Sequence, residues 1–223
     1  MNPIPAILQE LNRHADPARR NGMARFGINT QTALGVSIPT LRKLARHYRH
    51  QHDTANALWQ TEIHEARILA SMMDDPALVT PRQMEDWVCT LHSWDLCDQL
   101  CINLFSRTPH AHAKALAWRL RKPEYIRRAG FVLMAALAVH DKSAADDDFS
   151  PFLEAIRHGA TDSRNFVKKA VNWALRQIGK RNPALQQRAT QLARELLEMD
   201  DPTARWIARD ALREFAQLRN RRQ

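Results

Sequence analysis

Apolar residues recur at spacings of three and four along most of the chain, and the alternation typical of half-buried strands is nearly absent. Prolines and aspartates interrupt this pattern in segments such as "DDPALVTP" (74–81), "KSAADDDFSP" (142–151) and "DDPT" (200–203). Residues of these types begin helices or form turns. We therefore predict an all-α chain of about ten to twelve helices joined by short connections.

The predicted helices also repeat along the chain. The segments "YIRRAGFVLMAAL", "FVKKAVNWALRQI" and "RWIARDALREFA" share an aromatic or branched residue, then a basic residue and alanine. Within them Ile126, Val167 and Ile207 lie 41 and 40 residues apart, close to the period of roughly 40 to 47 residues of HEAT and armadillo helix pairs. We predict that residues 1–223 form a single HEAT-like, armadillo-type α-solenoid with a concave basic groove, and that 219–223 is a mobile basic tail.

Charge points to the class of partner. Lysine and arginine number 33 against 24 acidic residues, which gives a formal net charge of +9 and predicts a polyanionic partner. The longest apolar run, 129–139, falls short of the roughly 18 residues that span a bilayer. No secretory signal is visible, so we expect a cytoplasmic protein without a membrane segment. We expect Cys89, Cys97 and Cys101 to be reduced and largely buried, and we expect no metal.

Two short patterns carry candidate chemistry. In "HSWDLCDQL", Trp94 and Asp98 are four residues apart and therefore share a helix face. In "FVKKAVNWALRQI", Lys169, Trp173 and Arg176 form one stripe, while apolar residues take a different face. Cations neutralise phosphates, and an indole face attracts a positive sugar or base. If successive repeats line one groove, these side chains meet there on a surface suited to DNA.

The role of the carboxylate has two open interpretations. Beside a polyanion, Asp98 opposes binding, so it either takes part in chemistry or pairs with an arginine of the next repeat. Asp95 lies off the Trp94 face, and we predict that it pairs with Arg127 or caps a neighbouring turn. Four other tryptophans are predicted to be core or rim residues: Trp59, Trp87, Trp118 and Trp206.

Taken together, "SWDLCD", "YIRRAG" and "FVKKAVNWALRQIGKRNP" resemble, in this order, the AlkD-type DNA alkylation-repair glycosylases. The segments "MARFGINTQTALGVSIPTLRKLAR" and "LWQTEIHEARILASMM" are similar to the N-terminal portion of that family. The resemblance therefore covers nearly the whole chain. It implies a HEAT-like solenoid that cups duplex DNA and hydrolyses the N-glycosidic bond of cationic N3- or N7-alkylpurines, with the damaged base left stacked in the duplex. We also expect a monomer and no cofactor.

The resemblance also implies roles for particular residues. Asp98 is similar to the catalytic carboxylate, and Trp94 and Trp173 to the indoles that flank the deoxyribose of the lesion. The expected DNA-binding residues are Arg128, Lys169, Arg176 and Phe26. Phe26 departs from the family pattern, because a tyrosine is expected there, so a contact through that hydroxyl is absent.

A rival hypothesis from another class is a non-catalytic HEAT-like module that binds structured or damaged DNA. The presence of Trp94, Asp98, Arg128 and Trp173 together favours the enzyme. A protein-binding scaffold is disfavoured by the net charge of +9.

Overall fold

The structure, a computed structural model, describes residues 3–220, with the side chains of 219 and 220 left undescribed. Over these residues the chain forms thirteen α-helices, three short 3₁₀ turns and no strand, which confirms the all-α prediction. The predicted number of helices was slightly too low, because short helices such as Pro17–Met23 span too few turns to show an apolar period. The predicted tail falls outside the described residues, except that the backbone of 219–220 belongs to the last helix.

The chain divides into two compact units, Met1–Thr108 and Pro109–Gln223. The prediction of one domain over 1–223 stays a prediction. The first unit contains α1 (Ile4–Arg13), α2 (Pro17–Met23), a 3₁₀ turn (Ala24–Phe26), α3 (Ile38–Ala45), α4 (His52–Trp59), α5 (His64–Met73), α6 (Pro81–Cys89), α7 (Trp94–Asn103) and a 3₁₀ turn (Phe105–Arg107).

Helix starts in the first unit follow local sequence signals. The side chains of Asp16, Ser37 and Thr80 accept hydrogen bonds from backbone N–H groups three residues on, and a proline lies in the first turn after each. These caps satisfy backbone donors that a helix leaves unpaired at its N-terminus. The breaks in the hydrophobic pattern therefore become helix starts for an identifiable chemical reason.

The core of the first unit forms around α5, which packs against α3, α4 and α7. Nearby, the indoles of Trp59 and Trp87 stack with ring centroids 4.1 Å apart, and both are almost completely buried. These two tryptophans are core residues, as predicted. Cys97 and Cys101 are buried free thiols, as expected, but Cys89, the last residue of α6, is exposed.

The second unit is built from successive helix pairs. It contains α8 (Ala111–Trp118), α9 (Glu124–His140), a 3₁₀ turn (Asp146–Phe149), α10 (Ser150–Gly159), α11 (Asn165–Arg181), α12 (Pro183–Glu198) and α13 (Pro202–Asn220). Within this unit α9, α11 and α13 form one row, and α8, α10 and α12 pack against them. Ile126, Val167 and Ile207 are buried near the starts of the three helices of that row. The predicted repeat is therefore present in the packing.

Close packing within a pair explains one glycine. A Cβ added to Gly130 on α9 would lie 2.5 Å from the backbone nitrogen of Arg119, so only glycine permits this approach of the chain segments. Trp118 is fully buried, whereas Trp206 is 40% exposed and lies at the rim with the Lys168 ammonium 5.2 Å from its ring centroid. None of the described helices is both long and apolar enough to span a membrane.

Candidate active site

The start of α7 presents Trp94 and Asp98 one turn apart on the same side, and both side chains are half-buried. The indole of Trp94 has a fixed position because its Nε1 donates a hydrogen bond to the carbonyl oxygen of Phe26, 2.9 Å away. Phe26 ends a 3₁₀ turn, and Gly27 follows it with φ 72° in the left-handed region, where glycine is favoured. This hydrogen bond therefore connects the 3₁₀ turn that carries Phe26 to α7, which carries Trp94 and Asp98.

The contact between Phe26 and Trp94 was not visible in the sequence, because it uses the main chain of Phe26. A tyrosine or a phenylalanine at this position supplies the same carbonyl oxygen. The departure from the family pattern therefore leaves this contact intact. Phe26 is 63% exposed, so its ring is accessible to a ligand that binds beside Trp94.

The predicted partner of Asp95 was wrong. Its Oδ2 accepts a hydrogen bond from Nε2 of His64, 2.8 Å away, whereas Arg127 pairs with Asp162 at 3.2 Å. Asp95 follows Trp94 by one residue, a rotation of about 100° that turns it toward α5. Burial raises the pKa of Asp95, but the hydrogen bonds from His64 and Ser93 and the charge of His64 outweigh it and hold the pKa below its ordinary value. Asp95 is therefore a structural carboxylate.

A second imidazole in this buried cluster gives the first unit a pH dependence. The rings of His92 and His64 lie 5.9 Å apart. Burial lowers the pKa of His92, and the charges of His64 and Arg67 lower it further, against the raising effect of Asp95. Because the folded state disfavours the protonated form, the stabilising contribution of His92 is complete above the unfolded pKa of about 6.5 and is lost as the pH falls toward the lower folded value.

We expect the melting temperature to fall between pH 7 and pH 5, and His92→Gln to flatten that fall. Thermal melts at a series of pH values measure it. His47→Gln is the matched control, because His47 is exposed at the surface of the same unit, and this change should leave the pH dependence as it is. A His92→Gln profile parallel to that of the native protein contradicts the assignment.

In the second unit, α11 has the two faces that the sequence predicts. Lys169 is exposed, and Trp173 and Arg176 are half-buried along one stripe. The buried side of the helix includes Ala170, Ala174 and Ile178. Phe166, an apolar residue in the first turn of the same helix, is only half-buried, and its ring contacts that of Tyr125 with centroids 6.0 Å apart.

Arg176 is held by two carboxylates of α13. Its Nη1 lies 2.7 Å from Asp210 and its Nε lies 2.6 Å from Glu214. Burial raises the pKa of Asp210, but hydrogen bonds from Asn172, Arg176 and Arg213 together with the charge of Arg176 lower it more. Much of the positive charge of Arg176 is therefore compensated inside the protein, and its contact with DNA stays a prediction.

Arg128 lies in a different environment from the one expected for a groove residue. Only 5% of its surface is exposed, and its Nη1 donates a hydrogen bond to the carbonyl oxygen of Phe166. This contact ties α9 to α11 within the second unit. A guanidinium in this position orients neighbouring groups more readily than it reaches a phosphate, and its role in DNA binding also stays a prediction.

The predicted site residues belong to both units. Phe26, Trp94 and Asp98 lie in the first unit, and Arg128, Lys169, Trp173 and Arg176 lie in the second. The prediction that the two sets act on one substrate remains a prediction. In the described part of the chain, no group of three or more histidine, cysteine, aspartate or glutamate side chains is arranged to hold a metal ion.

Comparisons with known proteins place this architecture in a class. The model of the DNA alkylation repair enzyme family matches residues 7–215, so the chain belongs to that family. It resembles, with a TM-score of 0.78 and 18% identity over 94% of each chain, a solved structure from "a new family of proteins related to the HEAT-like repeat DNA glycosylases with affinity for branched DNA structures". This likeness confirms the HEAT-like fold. No curated protein matches the sequence.

Proposed function

We propose that this chain is a DNA glycosylase that hydrolyses the N-glycosidic bond of cationic N3- and N7-alkylpurines in duplex DNA. The observation that carries the proposal is the paired presentation of Trp94 and Asp98 on α7, with the indole fixed by the Phe26 carbonyl. Membership of the DNA alkylation repair enzyme family and the net charge of +9 support it.

The chemistry needs one carboxylate. An alkylated purine carries a positive charge, so it leaves with the electron pair of the C1′–N bond and needs no added proton. Positive charge then develops on the sugar, and the ionised Asp98 stabilises it and orients a water molecule. The water oxygen bonds to C1′ and its proton passes to Asp98 or to solvent. The product is a free alkylpurine and an abasic sugar.

The remaining residues have supporting roles in this proposal. The faces of Trp94 and Trp173 attract the positive sugar, while Lys169 and Arg176 interact with phosphates. Arg128, which is buried, orients the groups around it. Exposed Phe26 packs against the substrate beside Trp94.

The deciding experiment is incubation of the purified protein with methylated duplex DNA, followed by chromatography of the released bases. Free methylpurine in excess of spontaneous release establishes the activity. The rival function is binding of branched or damaged DNA without chemistry, which the branched-DNA affinity of the structural relative favours. Retained binding to a four-way junction without released base supports that rival and refutes the glycosylase.

We expect Trp94→Ala to slow base release about tenfold, since a cation–π contact contributes up to roughly 2 kcal/mol and about 1.4 kcal/mol corresponds to a factor of ten. Affinity for undamaged DNA should change little, because the attraction grows only as the sugar becomes positive. Single-turnover rates and binding isotherms measure the two effects. Trp94→Phe keeps an aromatic face and loses the hydrogen bond to Phe26, so its rate of base release should lie between those of the native protein and Trp94→Ala. A variant that unfolds instead shows that Trp94 is a core residue.

A further inference from the structure

A second basic feature of the first unit lies outside the proposed glycosylase residues. A cavity of about 410 Å³ is lined by five basic residues: Arg42, Arg46, Arg49, His50 and Arg107. We call these five residues and their cavity the arginine pocket. Its volume lies in the ordinary range of roughly 300 to 1,000 Å³ for ligand sites. Neither Phe26, Trp94 nor Asp98 lines it.

The pocket is assembled from two separate parts of the chain. Arg42 and Arg46 are four residues apart at the end of α3, so they share one face, and Arg49 follows on the next turn. His50, with φ 58° in the left-handed region, reverses the chain there. Arg107 comes from the 3₁₀ turn that follows α7. Arg107 lies 58 residues beyond Arg49 in the sequence, yet all four cations converge on one cavity.

In the described part of the chain, the arginine charges of the pocket are not paired with carboxylates, whereas Nδ1 of His50 lies 3.4 Å from Oδ2 of Asp75. Within residues 3–220, the guanidinium groups of Arg42, Arg46, Arg49 and Arg107 make no ion pair, and all four side chains are exposed. Other arginines of this unit have carboxylate partners, for example Arg13 with Glu10 at 3.0 Å and Arg82 with Asp86 at 3.8 Å. Like charges held near one another repel each other, and a bound anion relieves that repulsion.

The single carboxylate that lines the pocket is occupied by other groups. The side chain of Asp74 is fully buried. Its Oδ1 lies 2.7 Å from Nδ1 of His52, and its Oδ2 accepts a hydrogen bond from Nε2 of Gln83 at 2.7 Å. Burial raises the pKa of Asp74 above its ordinary value. Asp74 therefore opposes an incoming anion much less than an exposed carboxylate would.

A structural explanation accounts for only part of the cluster. Cations in the last turn of a helix interact favourably with the helix dipole, and Arg42 is in the last turn of α3. Arg49 and Arg107 lie beyond the ends of α3 and α7, where that effect does not reach. Their convergence on the same cavity needs another reason.

We propose that the arginine pocket binds the phosphodiester backbone of DNA away from the damaged nucleotide. Guanidinium groups bind phosphate oxygens in a bidentate manner, and four of them suit two neighbouring phosphates. Asn103, which also lines the pocket, lies nine residues beyond Trp94 on α7, or about 13.5 Å along the helix axis at roughly 1.5 Å per residue. The pocket therefore anchors a part of the DNA that is separate from the nucleotide at Trp94. This inference rests on DNA as the partner in the proposed function, but not on the glycosylase chemistry.

The test is the salt dependence of affinity for undamaged duplex DNA in the double variant Arg42→Gln/Arg46→Gln. Each lost phosphate contact makes the log–log slope shallower by about 0.9, so the expected change is up to about two units. The matched control is Arg13→Gln/Arg82→Gln, which removes the same charge from the same unit at arginines that have carboxylate partners. The control should keep the native slope. Equal slopes for the two double variants overturn the proposal.

Two further measurements cover misfolding of the double variant and binding of free phosphate instead of DNA. If the double variant fails to fold in a thermal melt, Arg107→Gln alone should still make the slope shallower by about one unit. Inorganic phosphate is the second probe. If it raises the melting temperature of the native protein but not of the double variant, while the DNA slopes coincide, the pocket binds free phosphate and the DNA proposal is overturned. Because the readout is undamaged DNA, a protein that releases no methylpurine but shows the shallower slope refutes the glycosylase and keeps this site.

Discussion

Asp98→Asn is expected to lower the rate of alkylpurine release by roughly 100-fold or more, the scale that follows loss of one preorganised electrostatic group. The change keeps the shape of the side chain and removes its charge, so the positive sugar loses its stabilising partner. Affinity for DNA should hold or rise, because a negative charge leaves a surface that binds a polyanion. Single-turnover excision with saturating protein measures the rate, and binding to undamaged duplex measures the affinity.

Asp95→Asn is the matched control, because it makes the same chemical change three residues away on the same helix. Asp95 pairs with buried His64, so its loss should lower the melting temperature and leave the rate per folded molecule nearly unchanged. The opposite pattern at Asp98 is the signature of catalysis. If Asp98→Asn melts early and still excises methylpurine at the native rate, Asp98 is a structural partner and the catalytic assignment fails.

Glu65→Gln is expected to destabilise the protein by roughly 3 kcal/mol, since a buried donor left without its acceptor costs about 1 to 3 kcal/mol and bonds to a charged group contribute more. Glu65 is 1% exposed, and its two carboxylate oxygens accept hydrogen bonds from the backbone nitrogens of Leu34 and Gly35, each 2.7 Å away. An amide has one oxygen, so its NH₂ group would face one of these two donors. Urea denaturation should show a lower midpoint with an unchanged slope.

Glu65 holds the chain segment at Leu34 and Gly35, which follows Phe26 by eight residues, against α5. A further hydrogen bond, from the backbone nitrogen of His64 to the carbonyl oxygen of Thr32 at 3.0 Å, ties the same segment to α5. Glu62→Gln is the control, because the side chain of Glu62 is 74% exposed and pairs with Arg67 only at 3.6 Å. Its loss should change stability by less than about 0.5 kcal/mol. Equal effects of the two changes would show that the Glu65 bonds contribute little.

Several features of the site follow from periodicity alone, because they depend on residues within one helix. A spacing of four places Trp94 and Asp98 on one side of α7 in any packing. The same rule separates Lys169 and Trp173 from the buried side of α11. Helix starts follow from local chemistry, as in the capping of the backbone by Ser37. The family resemblance of the sequence was likewise sufficient for the fold class, which the comparisons confirm.

The partners of the polar side chains depended on tertiary structure. Asp95 binds His64, which is 31 residues away, and Arg176 binds Asp210, which is 34 residues away. Arg128 donates to the carbonyl of Phe166, 38 residues away. Each partner lies on a helix roughly one repeat away, and helical periodicity gives the direction of a side chain but not the residue that faces it.

The arginine pocket combines a feature that follows from spacing within one helix with features that depend on tertiary packing. Arg42 and Arg46 are four residues apart, and this spacing alone places them on one face of a helix. The packing of distant segments brings Arg107 beside them, and it is also what binds Asp74 to His52 and Gln83. The physical reason is that the charge balance of a surface depends on which distant groups pack together, whereas the faces of a helix depend only on its local geometry.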